Sequence, residues 1–398
     1  MRLPDFVGTL VAQGELTVAV LPTTSQWFGV TFPQDAPAVR MHFAALDAAA
    51  GFATDRPVAC TPVLHGHIHD TFVVTCRGEK QFVLQRVNRV IFRDLDGLAT
   101  ILEHITAHVA RKAGARGVRS IVPEPIPALS GGWMHIDATG AAWRAAQYVE
   151  SSRALGTDTT NAELGAAARA FAALTRDLDD VGPLVDTIPH FHDFPRRLAD
   201  LDAAVSADRV GRAAGVRDLI ATARQLAERL THELDALDSD RLPRRVVHND
   251  AKLENVLVDS ETGIVAAIVD LDTVMHGTVL NDFGELARTA ASGAAEDEPD
   301  LTKVVLDRER FAALATGYLD GARDFVLDSE RNALALGGPL LTLENAVRFL
   351  TDHLNGDVYF RVHREAHNAQ RARAQLHLAT QMLDRLDELR AVIAAVPS

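Results

Sequence analysis

The chain has 398 residues, 47% of them hydrophobic and 24% charged, a globular composition long enough for two lobes with cores of their own. Its formal net charge of −14 repels phosphate backbones and argues against nucleic acid as a main partner. Its two cysteines, Cys60 and Cys76, make neither a disulfide framework nor a zinc cluster, and no apolar run reaches the ~18 residues expected of a membrane span.

The opening MRLPDFVGTLVAQGELTVAV, with one Arg and interrupting acids, makes a poor signal peptide, so a reduced cytoplasmic setting is expected. TVAVLP suggests a short strand, and PTTSQWFGVTFPQDAP is turn-rich. Met41 opens a cleaner helical pattern, MHFAALDAAAGFA. Residues 1–40 are therefore expected to form an N-terminal extension, either an optional segment or one ahead of a true start at Met41. The intact mass of the native protein separates the two. HDTFVVTC and EKQFVLQRV, joined by Arg-Gly-Glu, read as a β-hairpin. DLDGLATILEHITAHVARKAG reads as an amphipathic helix with an Asp near its start and a Gly after its end. IVPEPIPA is a Pro-punctuated connection, and GGWMHIDATGAAWRAAQYVESS a second hairpin followed by a polar stretch. Residues 41–150 are thus expected to form a small antiparallel sheet with one packed helix. Residues 151–398 are mostly helical, with apolar residues three and four apart in AELGAAARAFAALTRDL and VRDLIATARQLAERLTHELDAL. Two β-like runs, 246–259 and 264–271, interrupt them, and ASGAAEDEPD reads as an exposed loop.

The interruption carries the chemistry. VVHNDAKLENVLVD sets His248, Asp250 and Asn255 between two apolar runs; GIVAAIVDLDT then ends in Asp270 and Asp272. Phosphoryl transfer from ATP needs a group to orient the acceptor hydroxyl and take its proton, and oxygen ligands for Mg²⁺. Asp250 would be that base, Asn255 and Asp270 the Mg²⁺ ligands, and His248 a brace for the loop. Glu261-Thr262-Gly263 turns the chain so that Asp270 returns beside Asn255. Singly, Asp250 and Asn255 also suit ordinary turns. Asp272 is left between a second-metal role and a role in the fold.

His-x-Asp-x4-Asn followed by an apolar run and Asp resembles the motif of aminoglycoside phosphotransferases and choline kinases, distant relatives of protein kinases. The resemblance implies an α+β, bilobal protein-kinase-like fold, with a small antiparallel-sheet N-lobe and a larger, mainly helical C-lobe. It also implies ATP as phosphoryl donor. Asp282-Phe283-Gly284 spells a protein-kinase metal motif but comes too late, since Asp270 fills that place; Asp282 is read as a structural acid beneath the catalytic loop. LHGHIHDT stands where these kinases cover the phosphates, which makes Gly66 a nucleotide candidate. The next strand, QFVLQRVN, lacks the phosphate-pairing Lys. Arg86 or Gln85 takes its place, depending on strand register, with Glu103 as a partner for the arginine. Backbone groups of Gln147, Tyr148 and Val149 would meet adenine at the hinge.

The ordered series GHIHDTF, LQRVN, HNDAKLENVL, IVDLDTVMHG, NDFGELAR and RFLTDHLNGDVYF is similar to bacterial N-acetylhexosamine 1-kinases over residues 45 to 390. That resemblance implies transfer to the anomeric hydroxyl of GlcNAc or GalNAc and carries Arg348 and Tyr359 onto substrate-binding positions. His67 and Asp352 are added as candidates, Asp352 sharing a helix face with Arg348. A sugar suits this mixture of Arg348, Arg361, His363 and Arg364 with acids better than a polycationic aminoglycoside, which would demand a crowd of acids. The alternatives are another sugar, an aminoglycoside or an amino alcohol as acceptor, or a kinase-like binding protein without activity. No obligate protein partner is indicated. PHFHDF, with His190, His192 and Asp193, is either a metal cluster or a packing segment at a helix start.

Overall fold

The computed structural model describes residues 3–19, 30, 32–63, 68–237 and 242–397. By its contacts the chain divides into two compact units, Met1–Ala44 and Ala45–Ser398. The smaller holds α1 (Leu3–Ala12) and a 3-10 turn at Pro33–Asp35, and α2 (Ala36–Ala49) runs across the boundary. The helical pattern of Met41 thus starts at Ala36, just after the Asp35 carboxylate accepts the Phe32 amide. Residues 17–19 of the expected TVAVLP strand carry no regular structure, and 20–22 lie outside the described residues.

The larger unit opens with an antiparallel sheet. β1 (Pro57–Val63), β2 (Asp70–Cys76) and β3 (Gln81–Arg86) form a meander. β4 (Pro125–Ile126) and β5 (His135–Ile136) both pair with β6 (Ala142–Gln147), which lies beside β3. Between β2 and β3 the turn needs positive φ at Gly78 and Glu79 (87° and 68°), the first at no steric cost. Phe72, Val74, Phe82, Leu84, Trp143 and Ala145 make the buried face. Strand alternation turns Thr71, Gln85 and Arg144 to the opposite face. Ahead of β6, Asp137 accepts Thr139 N (2.8 Å), Ala141 N (3.0 Å) and the indole of buried Trp143 (2.8 Å). Burial opposes its ionisation, but these donors prevail and hold its pKa down to about 2. α3 (Leu95–Ala115) starts where the Asp94 side chain accepts Gly97 N at 2.9 Å and buries Leu98, Ile101, Ile105, Val109 and Ala113, one amphipathic stripe.

The remainder is helical, as expected, with the predicted β interruption in place. β7 (Ser152–Ala154) leads to α4 (Asn161–Leu178), α5 (Phe194–Ala207) and α6 (Arg217–Ala236). Then come β8 (Arg245–Val247), β9 (Val256–Asp259), β10 (Val265–Ile268) and β11 (Met275–Gly277). The last helices are α7 (Val279–Ala290), α8 (Arg308–Ala322), α9 (Asp328–Asn355), α10 (His367–Asp384) and α11 (Leu386–Ala395). β9 pairs with both β10 and β7, and β8 with β11, all antiparallel. α9 is the hub: α5, α6, α7, α10 and α11 pack on it. At its crossing with α7 a Cβ on Gly284 would stand 2.8 Å from the Gly337 carbonyl carbon and 2.9 Å from a Leu341 methyl, so the helix backbones meet directly. The loop expected to be exposed at 291–300 is half turned inward. Ser292 is buried, Glu296 reaches the buried Arg288 at 2.5 Å, and Asp297 pairs with Arg364 and His367 at 2.8 Å. Its acids find cations that the local sequence does not reveal. Among the described residues no helix is long and apolar enough to cross a membrane.

Candidate active site

The loop between β8 and β9 is pinned from several sides. Asp282, in the first turn of α7 and fully buried, accepts His248 N at 3.0 Å and Asn249 N at 2.7 Å. Two backbone donors that would otherwise be orphaned are thereby satisfied by one carboxylate. Asn249 takes the left-handed conformation (φ 63°), and its NH₂ donates to Thr273 O (3.0 Å) and Met275 O (3.3 Å). The His248 ring braces the loop: Nδ1 accepts the Asp250 amide at 3.3 Å, so Nε2 carries the proton and donates to Val269 O at 3.1 Å.

Within this frame, Asp250 Oδ2 lies 2.7 Å from Lys252 Nζ and 3.2 Å from Asn255 Nδ2. Burial opposes ionisation of Asp250, but the Lys252 ammonium outweighs it and holds the carboxyl well below its usual range. Asn255 also donates to Asp250 O at 2.8 Å, which commits its NH₂ and leaves Oδ1 without a donor among the described residues. Asp270 follows β10 with φ 63° and has no hydrogen-bond donor among the described residues. Burial, with Asp272 and Asp250 as like charges, pushes its pKa up against Lys252. A carboxylate in that position, beside an uncommitted amide oxygen, is a hard-oxygen donor set of the kind Mg²⁺ takes.

Asp272 is committed elsewhere. It takes a two-pronged ion pair from Arg144, with Nη2 on Oδ2 at 2.8 Å and Nη1 on Oδ1. Asn88 N donates to His69 Nδ1 (3.1 Å), so His69 Nε2 carries the proton and donates to Asp272 Oδ2 at 2.6 Å. His69, Asp270 and Asp272 have ligand atoms within 4.8 Å of one another, yet His69 is used up as a donor and a bridge rather than as a metal ligand. Arg144 Nε bonds Gln85 Oε1 at 2.9 Å, and Gln85 Nε2 bonds Thr71 Oγ1 at 3.2 Å. The β3–β6 register, pairing Gln85 with Arg144, therefore puts Gln85 on the face toward Asp272. Arg86 lies on the other face, 3.8 Å from Asp70. The expected Glu103–Arg86 pair does not form: the apolar stripe of α3 leaves Glu103 exposed. Gly66 and His67 lie outside the described residues. Gln147 closes β6, its amide donating to Glu124 O (2.9 Å); Tyr148 is half-buried, and buried Val149 accepts Ser152 Oγ (2.6 Å).

On α9, Arg348 donates to Asn345 Oδ1 at 3.1 Å and lies against three rings: Phe360 (5.4 Å), Phe191 (5.9 Å) and Tyr359 (5.9 Å). Among the described residues it has no carboxylate partner, and its neighbour Arg197 has its pKa lowered by burial and by the Arg348 charge. Asp352 does not join this wall as expected. Its Oδ1 accepts Val358 N and Tyr359 N, and its Oδ2 accepts Phe360 N and Asn368 Nδ2, all at 2.9 Å. With both oxygens saturated it holds the loop that presents Tyr359. PHFHDF is no metal cluster: His190 meets Asp193, which caps α5, while His192 turns to Glu344 Oε1 (2.9 Å) and Asn249 O (2.7 Å). Lys252, Arg144, His69 and Glu344 are residues of the site to which reading the sequence gave no role, and His192 was read only as part of a metal cluster or a packing segment. Only Lys252 has a local signal, two positions after Asp250.

A family model described as "Phosphotransferase enzyme family" (APH) matches residues 59–321. Solved structures share the fold. A microcompartment-associated aminopropanol kinase is 17% identical, with a TM-score of 0.59, over 87% of this chain and 98% of its own. An amicoumacin kinase in complex with AMP-PNP, Ca²⁺ and Ami is 14% identical, with a TM-score of 0.57, over 89% and 96%. A choline/ethanolamine kinase family protein from Mesorhizobium loti is 18% identical, with a TM-score of 0.55, over 90% and 98%. The expected kinase-like α+β fold is therefore the fold of this chain.

Proposed function

The chain belongs to the APH phosphotransferase enzyme family, and we propose that it is an ATP- and Mg²⁺-dependent kinase that phosphorylates the anomeric hydroxyl of N-acetylhexosamines such as GlcNAc and GalNAc. The observation that carries the acceptor assignment is the wall of Arg348 with Phe191, Tyr359 and Phe360, a guanidinium among rings with no carboxylate partner among the described residues. Flat rings and a guanidinium with donors left beyond its bond to Asn345 suit a neutral, hydroxyl-rich ring and repel a polyamine. In this reading residues 41–150 bind the nucleotide and 151–398 supply the catalytic loop and the acceptor wall. The two cysteines, buried and not joined by a disulfide, suit a cytoplasmic setting.

Asp250 orients the hydroxyl and takes its proton as the oxygen attacks the γ-phosphorus in line. Lys252 keeps that carboxylate ionised and stands ready to meet the negative oxygens of the transferring group. Asn255 Oδ1 and Asp270 would hold Mg²⁺, which when bound neutralises charge on the β- and γ-phosphates. Arg144, on the strand beside β3, brings a cation to the face that Gln85 shares, where Asp272 pairs with it and Gln85 steadies it. Arg348 and Tyr359 fix the sugar.

The test is ³¹P NMR of ATP, Mg²⁺ and a panel of GlcNAc, GalNAc, glucosamine, glucose, kanamycin and choline. A phosphate doublet coupled to an anomeric proton, formed with GlcNAc or GalNAc alone, is the expected result. Phosphate on kanamycin, choline or a 6-hydroxyl would overturn the acceptor while leaving the roles of Asp250, Asn255 and Asp270 standing.

A further inference from the structure

His192 touches neither Asp250 nor the acceptor wall's guanidinium by hydrogen bond, yet it stands between them. Its Nε2 is 2.7 Å from Asn249 O and its Nδ1 2.9 Å from Glu344 Oε1. A carbonyl oxygen cannot donate, and the Glu344 carboxylate is buried at 1% exposure. Nε2 must therefore carry one proton, and a second lies between Nδ1 and Glu344, where the neighbouring carboxylate favours the protonated ring. Asn249 O belongs to the peptide whose N–H is Asp250's own, and that N–H is held by His248 Nδ1. Two histidines therefore grip the two ends of the one peptide plane from which the Asp250 side chain springs. The other end of this arrangement is the acceptor wall. Phe191, next in sequence, packs edge-on to His192 at 4.7 Å and lies under Arg348. Glu344 and Arg348 stand one turn apart on α9.

We infer that His192, held as a cation by Glu344, is a positioning residue that clamps the Asn249–Asp250 peptide and ties the aim of Asp250 to the acceptor wall. The inference rests on the reading of Asp250 as base. Loss of the His192 proton explains how the clamp would fail. The proton that remains is drawn to the Glu344 carboxylate at Nδ1, and Nε2 then presents a lone pair to Asn249 O, which pushes the peptide away. The charged groups that act on His192 are Glu344 from α9 and Glu285 and Asp282 from α7; Arg197 from α5 and Arg348 from α9 act on each other, and Arg197 also feels Glu344. Burial works against the cation and Glu344 outweighs it, which raises the pKa of the ring.

The experiment compares wild type, His192→Phe, His192→Gln, Glu344→Gln and Asp250→Asn by kcat, both KM values, thermal midpoint and the pH profile of kcat. His192→Phe lowers kcat on the order of 10²-fold with KM for ATP unchanged, as a misaimed group does. His192→Gln, which keeps a donor for Asn249 O, recovers part of it. In Glu344→Gln the largest opposition to burial is gone, so the alkaline limb of the kcat profile moves to lower pH. His192→Phe keeping kcat within about 2-fold, or a Glu344→Gln profile that superimposes on the wild type, overturns the inference while Asp250→Asn remains inactive. An active Asp250→Asn enzyme would instead remove the base assignment, and this inference with it.

Discussion

Lys252 Nζ closes on Asp250 Oδ2 at 2.7 Å, and the pair is nearly enclosed, with side-chain exposures of 25% and 16%. The lysine keeps its partner ionised at the cost of shielding it, so the carboxylate is a strong anion and a weak base until a substrate hydroxyl arrives. Asp250→Asn preserves shape and removes the proposed base. Its kcat should fall on the order of 10²–10⁴-fold while KM for ATP changes little. Steady-state kinetics with ATP and the acceptor varied in turn read this directly; a mutant that keeps most of its kcat would exclude the role.

Asp270 is placed for function against stability. It has no donor among the described residues and sits between two other carboxylates, Asp250 and Asp272. Asp270→Asn should raise the thermal midpoint of the metal-free protein, because one of three like charges is gone. The same change should abolish most of the activity and increase the Mg²⁺ needed for what remains. A lowered midpoint without metal would contradict the electrostatic picture.

Arg144 and Arg86 make a matched comparison, one on each face of the sheet. Arg144 is 12% exposed and carries two bonds to Asp272. Arg144→Met leaves that buried carboxylate with His69 alone and should cost about 3–5 kcal/mol of stability, with a raised KM for ATP. Arg86→Ala, at a half-buried site on the other face, should cost less stability than Arg144→Met and leave KM for ATP in place. Urea unfolding and ATP titration of the two variants decide it, and a reversal of the two KM effects would hand the phosphate role to Arg86.

Asp137 gives a pH dependence of known sign. Its folded pKa, about 2, is below the ordinary aspartate value, so its contribution is fully present above about pH 4 and is lost as pH falls through 4 toward 2. The difference in urea midpoint between wild type and Asp137→Ala should therefore be largest near neutrality and shrink across that window. A difference that stays constant with pH would mean that the Trp143 and turn bonds do not depend on the charge.

What could be read from the chain alone was local. The β2–β3 hairpin follows from alternating apolar residues around Arg-Gly-Glu, and α3 from its stripe and its Asp94 cap. Asp282 as the acid under the loop also follows, because a second metal motif so far along has no metal left to bind. Arg144 is invisible in WRAAQ, since only the β3–β6 register shows that it faces Gln85 and then Asp272. His192 and Glu344 are 152 positions apart, and no spacing rule connects them. Asp352 misleads for the opposite reason: i, i+4 spacing with Arg348 suggests a shared task, but the amides of Val358, Tyr359 and Phe360 claim it first. Burial and competition for donors decided each of these, and neither is written in periodicity.

The bare backbone contact of Gly284 with Gly337 also limits how the molecule can move. At that crossing the Gly337 carbonyl and a Leu341 methyl fill the space a side chain on Gly284 would need, so Asp282, Glu285, Glu344 and Arg348 stand on two tightly packed helices. The sheet is fastened to that side of the site through Asp272, which Arg144 and His69 hold.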